Sequence, residues 1–129
     1  MFSILPVKDK ERLSVYPEGT TLLEYKEDGI MKGFIAYRLY KSAYELLAVN
    51  VGEGTDPDSE EAFLRADALV RSVGSIALND GILTLCTKDD SLEAIYDKLG
   101  FFRNGDFRTL YLNKLFGGVC KGCKGNCGN

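Results

Sequence analysis

The chain has 129 residues, of which 45% are hydrophobic and 27% charged, and its formal net charge is −3. This length suits one domain with a buried core, and the acidic balance argues against nucleic acid as a partner. No run of about 18 apolar residues occurs, so the sequence predicts no membrane-spanning helix. The absence of histidine excludes His-based catalysis and His-ligated metal centres.

Residues 2–7 predict a short first strand. The opening residues 1–7 lack the basic start and cleavage site of a signal peptide, so a cytoplasmic location is expected. A helical turn over residues 8–13 is expected next, before Pro17 and Gly19 interrupt the pattern. Residues 20–26, 30–40 and 44–51 then predict three strands in an antiparallel meander, with Asp28–Gly29 as the first hairpin turn.

A long helix is predicted over residues 56–79, with Asp56 as its cap and Pro57 in its first turn. Phe63, Ala66, Leu69, Val70, Val73 and Ala77 are expected to face the sheet, and Arg65, Asp67 and Arg71 to face water. Residues 82–87 predict a compact strand parallel to strand 44–51, because a long helix connects the two. A last strand is expected over residues 107–112.

Residues 91–102 predict a short helix, because apolar side chains recur at helical spacing at Leu92, Ile95, Tyr96 and Leu99. Gly100 stands where a left-handed helix end is favoured, and two phenylalanines follow it. This Tyr-x-x-x-Gly-Phe run, between two predicted strands, resembles the last helix of the GNAT family of acyl-CoA-dependent N-acyltransferases.

The order of predicted elements from residue 20 to residue 112 also matches that family after its first two helices, which is roughly two thirds of the chain. The segment between Val7 and Thr20 leaves little room for those two helices. The resemblance therefore implies a domain abbreviated on its N-terminal side. It also implies that Tyr96 is the general acid that protonates the departing thiolate of coenzyme A, although a tyrosine here is equally typical of a packed core.

In GNAT proteins the diphosphate of acyl-CoA is held by backbone amides in the turn before the long helix. The resemblance places that turn at Gly52, Gly54 and Thr55, with backbone groups of Val49 and Val51 and the side chain of Ser91 toward the pantetheine arm. The family usually has Arg or Gln ahead of its glycines, and none is present here. Four acids, Asp56, Asp58, Glu60 and Glu61, crowd the same helix end and disfavour an anion.

A family member often carries an acidic general base on or just after the fourth strand, which points to Glu45 or Glu53. The alternatives are a solvent-facing strand residue for Glu45 and a loop charge for Glu53. Asp89 stands where the family often has an asparagine, and a carboxylate cannot donate the hydrogen bond that an amide can.

The C-terminal residues 117–129 are rich in glycine and contain Cys120, Cys123 and Cys127, while Cys86 is expected to be a buried thiol. The spacing of the three tail cysteines permits a zinc or iron–sulfur site one ligand short of closure. A redox pair, a substrate for another protein's chemistry, and a flexible tail without a ligand are the alternatives left open.

The sequence as a whole predicts an α/β (α+β) domain over residues 1–116, with a mixed, mostly antiparallel central sheet, one long helix and one short helix. The first functional hypothesis is an N-acyltransferase that uses acetyl-CoA or another acyl-CoA and a small-molecule or protein amine. The second is a non-catalytic GNAT-like binding or regulatory module whose cysteine tail carries a metal or redox contact. No nucleic acid or membrane partner is expected, and a homodimer is one open option.

Overall fold

The computed structural model describes residues 2–116, which form one seven-stranded sheet with four helices. The strands are β1 (Phe2–Pro6), β2 (Thr21–Glu27), β3 (Ile30–Tyr40), β4 (Ala43–Asn50), β5 (Thr84–Thr87), β6 (Phe102–Asn104) and β7 (Phe107–Tyr111). The helices are α1 (Lys10–Leu13), α2 (Glu60–Asn79), α3 (Glu93–Leu99) and α4 (Leu112–Leu115). The predicted tail, residues 117–129, lies outside the described residues.

The strands lie in the order β1-β2-β3-β4-β5-β7-β6. Every neighbouring pair is antiparallel except β4 and β5, which are parallel and joined by α2. The predicted meander, the two-residue hairpin at Asp28–Gly29 and the parallel crossover are therefore confirmed. The last strand, β7, pairs on both sides, with β5 and with β6.

The core lies between one face of the sheet and helices α2 and α3. Alternate strand residues such as Ile35, Leu46, Leu85 and Leu110 are fully or almost fully buried on that face. The apolar face of α2 covers them with Ala62, Ala66, Leu69, Val70, Val73 and Ala77. The predicted inward face of α2 is thus correct except at its edge, where Phe63 is only half-buried and Arg65 is buried.

Helix α2 begins three residues later than the sequence predicts. Its cap is Ser59, whose hydroxyl accepts a hydrogen bond from the amide of Ala62 (3.1 Å). The Asp56 carboxylate instead accepts from the amide of Asp58 (2.9 Å), and the Asp56 carbonyl accepts from Ser59 (3.0 Å). Asp56 and Pro57 therefore build a separate turn in front of the helix, and the long helix keeps its expected end at Asn79.

Two one-turn helices complete the fold. Helix α1 fills the segment between β1 and β2, where a single turn was expected, and Asp9 caps it through the amide of Glu11 (2.9 Å). Helix α4 was not predicted, because four residues carry too little periodicity to be recognised. It buries Leu112 and Leu115 against α2.

Candidate active site

A gap opens in the sheet where the two parallel strands part. Strand β4 pairs with β5 over three residues, which end at Leu46 and Thr87. It then continues to Asn50 paired with β3 alone among the described strands. Leu47 is an extra residue opposite β3, a β-bulge that bends β4 at this point. Backbone groups of β4 beyond Leu46 therefore face the gap.

The predicted ligand-binding residues of this strand contribute to the gap through their backbone. The side chains of Val49 and Val51 are buried in the core beneath α2. A ligand in the gap would therefore meet the main chain here, as in an added strand.

The closed end of the gap is held by Thr87. Its hydroxyl donates to the carbonyl of Leu46 (2.8 Å) and accepts from the amide of Asp89 (3.0 Å). Thr87 is fully buried. The two bonds of the Thr87 hydroxyl take the place of the backbone hydrogen bonds between β4 and β5, which end at this residue.

Helix α3 brings Tyr96 to the same place. The Tyr96 hydroxyl donates to Oδ2 of Asp89 (2.5 Å), and the tyrosine is 0% exposed. Asp89 also accepts from Ser91 twice, from the hydroxyl at 2.9 Å and from the amide at 3.2 Å. The sequence had marked all three residues separately, and the structure joins them into one hydrogen-bonded group.

The environment of Tyr96 fixes its protonation state. Burial raises the pKa of its phenol, and the hydrogen bond to Asp89 and the carboxylate charge raise it further. The hydroxyl therefore keeps its proton throughout the neutral range, so it can act as a proton donor but not as a base.

The turn before α2 stands at the other end of the gap. The amide of Thr55 donates to the carbonyl of Gly52 (3.1 Å), and the amide of Gly52 donates to the side chain of Asn50 (2.8 Å). Within residues 2–116 no acceptor bonds the amides of Glu53 and Gly54. The predicted diphosphate turn thus keeps two backbone donors available for an anion.

The two glycines of this turn have different roles. Both have positive φ, 111° at Gly52 and 78° at Gly54. A Cβ on Gly52 would lie 2.7 Å from the carbonyl oxygen of Lys32, whereas a Cβ on Gly54 would have no atom within 4 Å. Gly52 therefore allows the turn to pack on the sheet, and Gly54 leaves an open face.

Arg65 on helix α2 supports the turn at residues 52–55, a role that the sequence analysis missed. The expectation that it faces water is wrong, because Arg65 is 4% exposed. Its Nη1 donates to the carbonyl of Val51 (2.9 Å) and to the hydroxyl of Thr55 (3.2 Å), and its Nη2 donates to Glu61 (2.6 Å). Arg65 lies on the same face of the helix as Ala62, Ala66 and Leu69, and this spacing was the sequence signal for its burial.

A cavity of about 480 Å³ lies between Pro57 and Asp58, in front of α2, and the segment that begins α3. Its walls are Pro57, Asp58, Asp90, Ser91, Leu92, Glu93, Ala94, Ile95 and Asp97. The buried Arg108 offsets several of these acids, with Nε 3.2 Å from Asp90, Nη2 3.3 Å from Glu93 and Nη1 3.4 Å from Asp97. The cavity is therefore polar, with its negative charge partly neutralised.

Glu45 lies on the opposite face of the sheet from Leu46 and α2, since neighbouring strand residues alternate. It is 6% exposed, and Arg38 Nη2 lies 3.3 Å from its carboxylate. The alternative of a solvent-facing Glu45 is therefore wrong. Cys86 is its register partner and is buried as expected, and burial followed by the charge of Glu45 raises the pKa of the thiol to about 11.

Neither metal coordination nor membrane insertion finds support in the described part of the chain. Among residues 2–116 there is no cluster of three or more Cys, Asp or Glu side chains arranged to hold a metal ion. None of the four helices is long and apolar enough to cross a membrane. The predicted metal ligands Cys120, Cys123 and Cys127 lie outside this range.

The architecture closely matches solved acetyltransferases. The ribosomal-protein-S18-alanine N-acetyltransferase from Escherichia coli superposes with a TM-score of 0.63 at 17% identity, covering 87% of this chain and 94% of that one. A GNAT family acetyltransferase from Elizabethkingia anophelis, solved with acetyl-CoA bound, gives 0.64 at 14% identity over 85% and 97%. One from Staphylococcus aureus gives 0.64 at 14% over 87% and 99%.

Sequence comparison alone finds no such relation, since no family model and no curated protein matches the chain. The structural likeness covers 94%, 97% and 99% of these three acetyltransferases. The chain therefore has the fold of the GNAT acetyltransferases.

Proposed function

We propose that this protein is an acyl-CoA-dependent N-acyltransferase that transfers an acyl group, such as acetyl, to an amine. The observation that carries the proposal is the gap between β4 and β5, which has free backbone donors at one end and a protonated tyrosine at the other. The backbone donors suit the diphosphate of acyl-CoA, and the tyrosine suits the sulfur that leaves when the thioester is cleaved.

Each predicted ligand-binding residue has a role in this proposal. The amides of the turn at Gly52, Gly54 and Thr55 would hold the diphosphate, and Arg65 keeps that turn in place. The main chain at Val49 and Val51 would bond the pantetheine arm, and Ser91 would meet it from the other wall once released from Asp89. The residues present therefore fit the ligand.

Bound acyl-CoA would supply an activated carbonyl, and attack by the amine would form the C–N bond as the C–S bond breaks. We assign Tyr96 as the proton donor, because its hydroxyl stays protonated beside the gap. Replacing Tyr96 with Phe should lower kcat about 100-fold, with a smaller change in KM. An unchanged kcat in Tyr96→Phe would remove this assignment.

Glu45 is the proposed proton acceptor for the amine, directly or through water. It directly precedes Leu46, the last paired residue of β4, and lies on the opposite face of the sheet from Tyr96. Donor and acceptor would then work from the two faces of the gap. Glu53 on the exposed turn is the other acidic candidate.

The proposed acceptor is an amine on a small molecule or on a protein. The Escherichia coli protein of the same fold is named as an acetyltransferase for an alanine of ribosomal protein S18. A cytoplasmic location, where acyl-CoA is available, accords with this proposal.

Acetyl-CoA binding tests the proposal before any acceptor is known. A ligand that binds the folded state at about 100 times its Kd stabilises it by about 2.7 kcal/mol, which raises Tm by several degrees. We expect such a rise with acetyl-CoA at about 1 mM. ATP, which shares the adenosine and phosphates but lacks the thioester arm, is the matched control. No rise with acetyl-CoA would contradict the proposal. A binding module without catalysis would bind acetyl-CoA but would release no coenzyme A from it in the presence of any amine tested.

A further inference from the structure

Arg65 stands out among the buried side chains because it is charged, almost fully enclosed and incompletely bonded. Its Nη1 and Nη2 each have partners, but its Nε is buried and has no hydrogen-bond acceptor among residues 2–116. Burying a guanidinium that keeps one unpaired N–H lowers the stability of the folded state. This cost points to a role besides packing.

The contacts of Nη1 join the two ends of one turn. The carbonyl of Val51 precedes the turn and the hydroxyl of Thr55 ends it, and both bond the same nitrogen. Gly52 sits against that nitrogen so closely that a Cβ there would be 2.9 Å from it. The guanidinium therefore acts as a support on which residues 51–55 are fixed, and the amides of Glu53 and Gly54 take no part in these contacts.

The contacts of Nη2 govern the charge at the same place. Nη2 lies 2.6 Å from Glu61 and 3.7 Å from Glu27, and the Glu61 side chain is 62% exposed. Arg65 thus neutralises one of the four acids that crowd the start of α2. Because Glu61 is largely in solvent, water screens the part of its charge that Arg65 does not offset.

We propose that Arg65 is the positioning residue of the diphosphate subsite: it preorganises the turn 52–55 and offsets the charge of Glu61 from outside the turn. The inference rests on the proposed function and adds to it the residue that makes an acid-rich turn compatible with a diphosphate.

The test compares two probes that share the thiol arm and differ in the diphosphate. Coenzyme A and pantetheine are titrated into ¹⁵N-labelled full-length protein, and Kd is taken from amide shifts in an NMR titration. In Arg65→Met we expect coenzyme A to bind at least about tenfold more weakly, a change of about 1.4 kcal/mol, while the Kd of pantetheine stays within about twofold. Arg71→Met, an arginine exposed on the same helix, is the matched control and should leave both Kd values unchanged.

A second variant keeps the inference testable if Arg65→Met does not fold. Glu61→Gln leaves Arg65 and the turn in place but removes one carboxylate, so coenzyme A should bind about threefold more tightly with no change for pantetheine. Equal effects on the two probes in either variant, or none on coenzyme A, would overturn the inference alone. Wild-type protein that binds neither probe would overturn the proposed function and the inference together.

Discussion

The two ends of the gap between β4 and β5 are built on opposite principles. At the end near α3, the hydroxyls of Thr87, Ser91 and Tyr96 all have partners, and Asp89 accepts three hydrogen bonds. At the end near α2, two backbone amides and the Nε of Arg65 have no acceptor in the described residues.

We call the end near α3, where every hydroxyl is bonded, the closed end, and the end near α2, where backbone donors are free among the described residues, the prepared end. The turn at residues 52–55 is already shaped for an anion and needs only the ligand to complete its bonds. The Tyr96–Asp89 pair must exchange a short bond before the phenol can serve a substrate. A ligand would therefore gain its first contacts at the turn and its last at Tyr96, so binding and catalysis should respond to different substitutions.

The largest effect is expected at the prepared end, from Gly52→Ala. The positive φ of 111° and a Cβ 2.7 Å from the carbonyl of Lys32 together should lower the free energy of unfolding by about 3 kcal/mol. Urea denaturation measures it. Gly54→Ala is the matched control, since its φ is also positive but its Cβ meets nothing within 4 Å, and it should cost only about 1 kcal/mol. Equal losses would show that backbone strain, not the packed turn, sets the requirement.

The closed end should respond next, through Tyr96→Phe. The substitution keeps the ring, which packs at 5.2 Å against Phe101, and removes only the bond to Asp89. A hydrogen bond to a charged acceptor is worth about 1.5–3 kcal/mol, so chemical denaturation should show a loss of about 2 kcal/mol. Tyr111→Phe on the half-exposed Tyr111 should change stability by less than about 0.5 kcal/mol. A loss no greater at Tyr96 than at Tyr111 would mean that the closed end is not held by this bond.

Alkaline pH gives a smaller, directional test of the same end. The folded-state pKa of Tyr96 lies above its ordinary value of 10.0, first by burial and then by Asp89. The unfolded chain releases this proton above about pH 10 while the folded chain retains it, so stability falls as pH rises through that range. Asp89→Asn removes the charge, and Tyr96 should then ionise at lower pH in a titration followed by tyrosinate absorbance. No movement of that ionisation would show that burial alone sets the pKa.

The smallest effect is expected from Ser91→Ala. Its hydroxyl bonds Asp89 at the exposed rim of the gap, where water can replace it, so the free energy of unfolding should fall by only about 0.5 kcal/mol. Thermal unfolding of the variant and the wild-type protein at neutral pH measures this loss. A loss comparable to that of Tyr96→Phe would place Ser91 among the main supports of the closed end.

Local patterns were sufficient for most of the fold. The alternation along β2 to β4 and the helical spacing of α2 and α3 predict the elements because each pattern is repeated over several residues. The start of α2 was placed wrongly because Asp-Pro is a strong local signal, while the cap at Ser59 is recognised only from its bond to Ala62. The environment of Glu45 was missed because the turn between β3 and β4 has two residues, Lys41 and Ser42, which sets Arg38 opposite Glu45.

In the candidate site, too, residues close in sequence could be predicted and contacts between distant residues could not. Asp89, Ser91 and Tyr96 are close in sequence, so a resemblance at the motif level could select all three. Arg65 was missed because its partners at Val51 and Thr55 lie 14 and 10 residues away, and no periodicity encodes which backbone carbonyl a long side chain will reach. A single arginine at the margin of an apolar helix face reads as solvated unless the loop beside it is known.

The bulge at Leu47 has a consequence for hydrogen exchange along β4. It bends β4 where its pairing with β5 stops, so the main-chain groups of residues 47–50 that face β5 have no strand to shield them. Amide deuteration there should proceed quickly beside a slowly exchanging core. A molecule seated in the gap would complete the sheet at this edge, and its presence would be recorded as a delay in isotope uptake confined to these few positions.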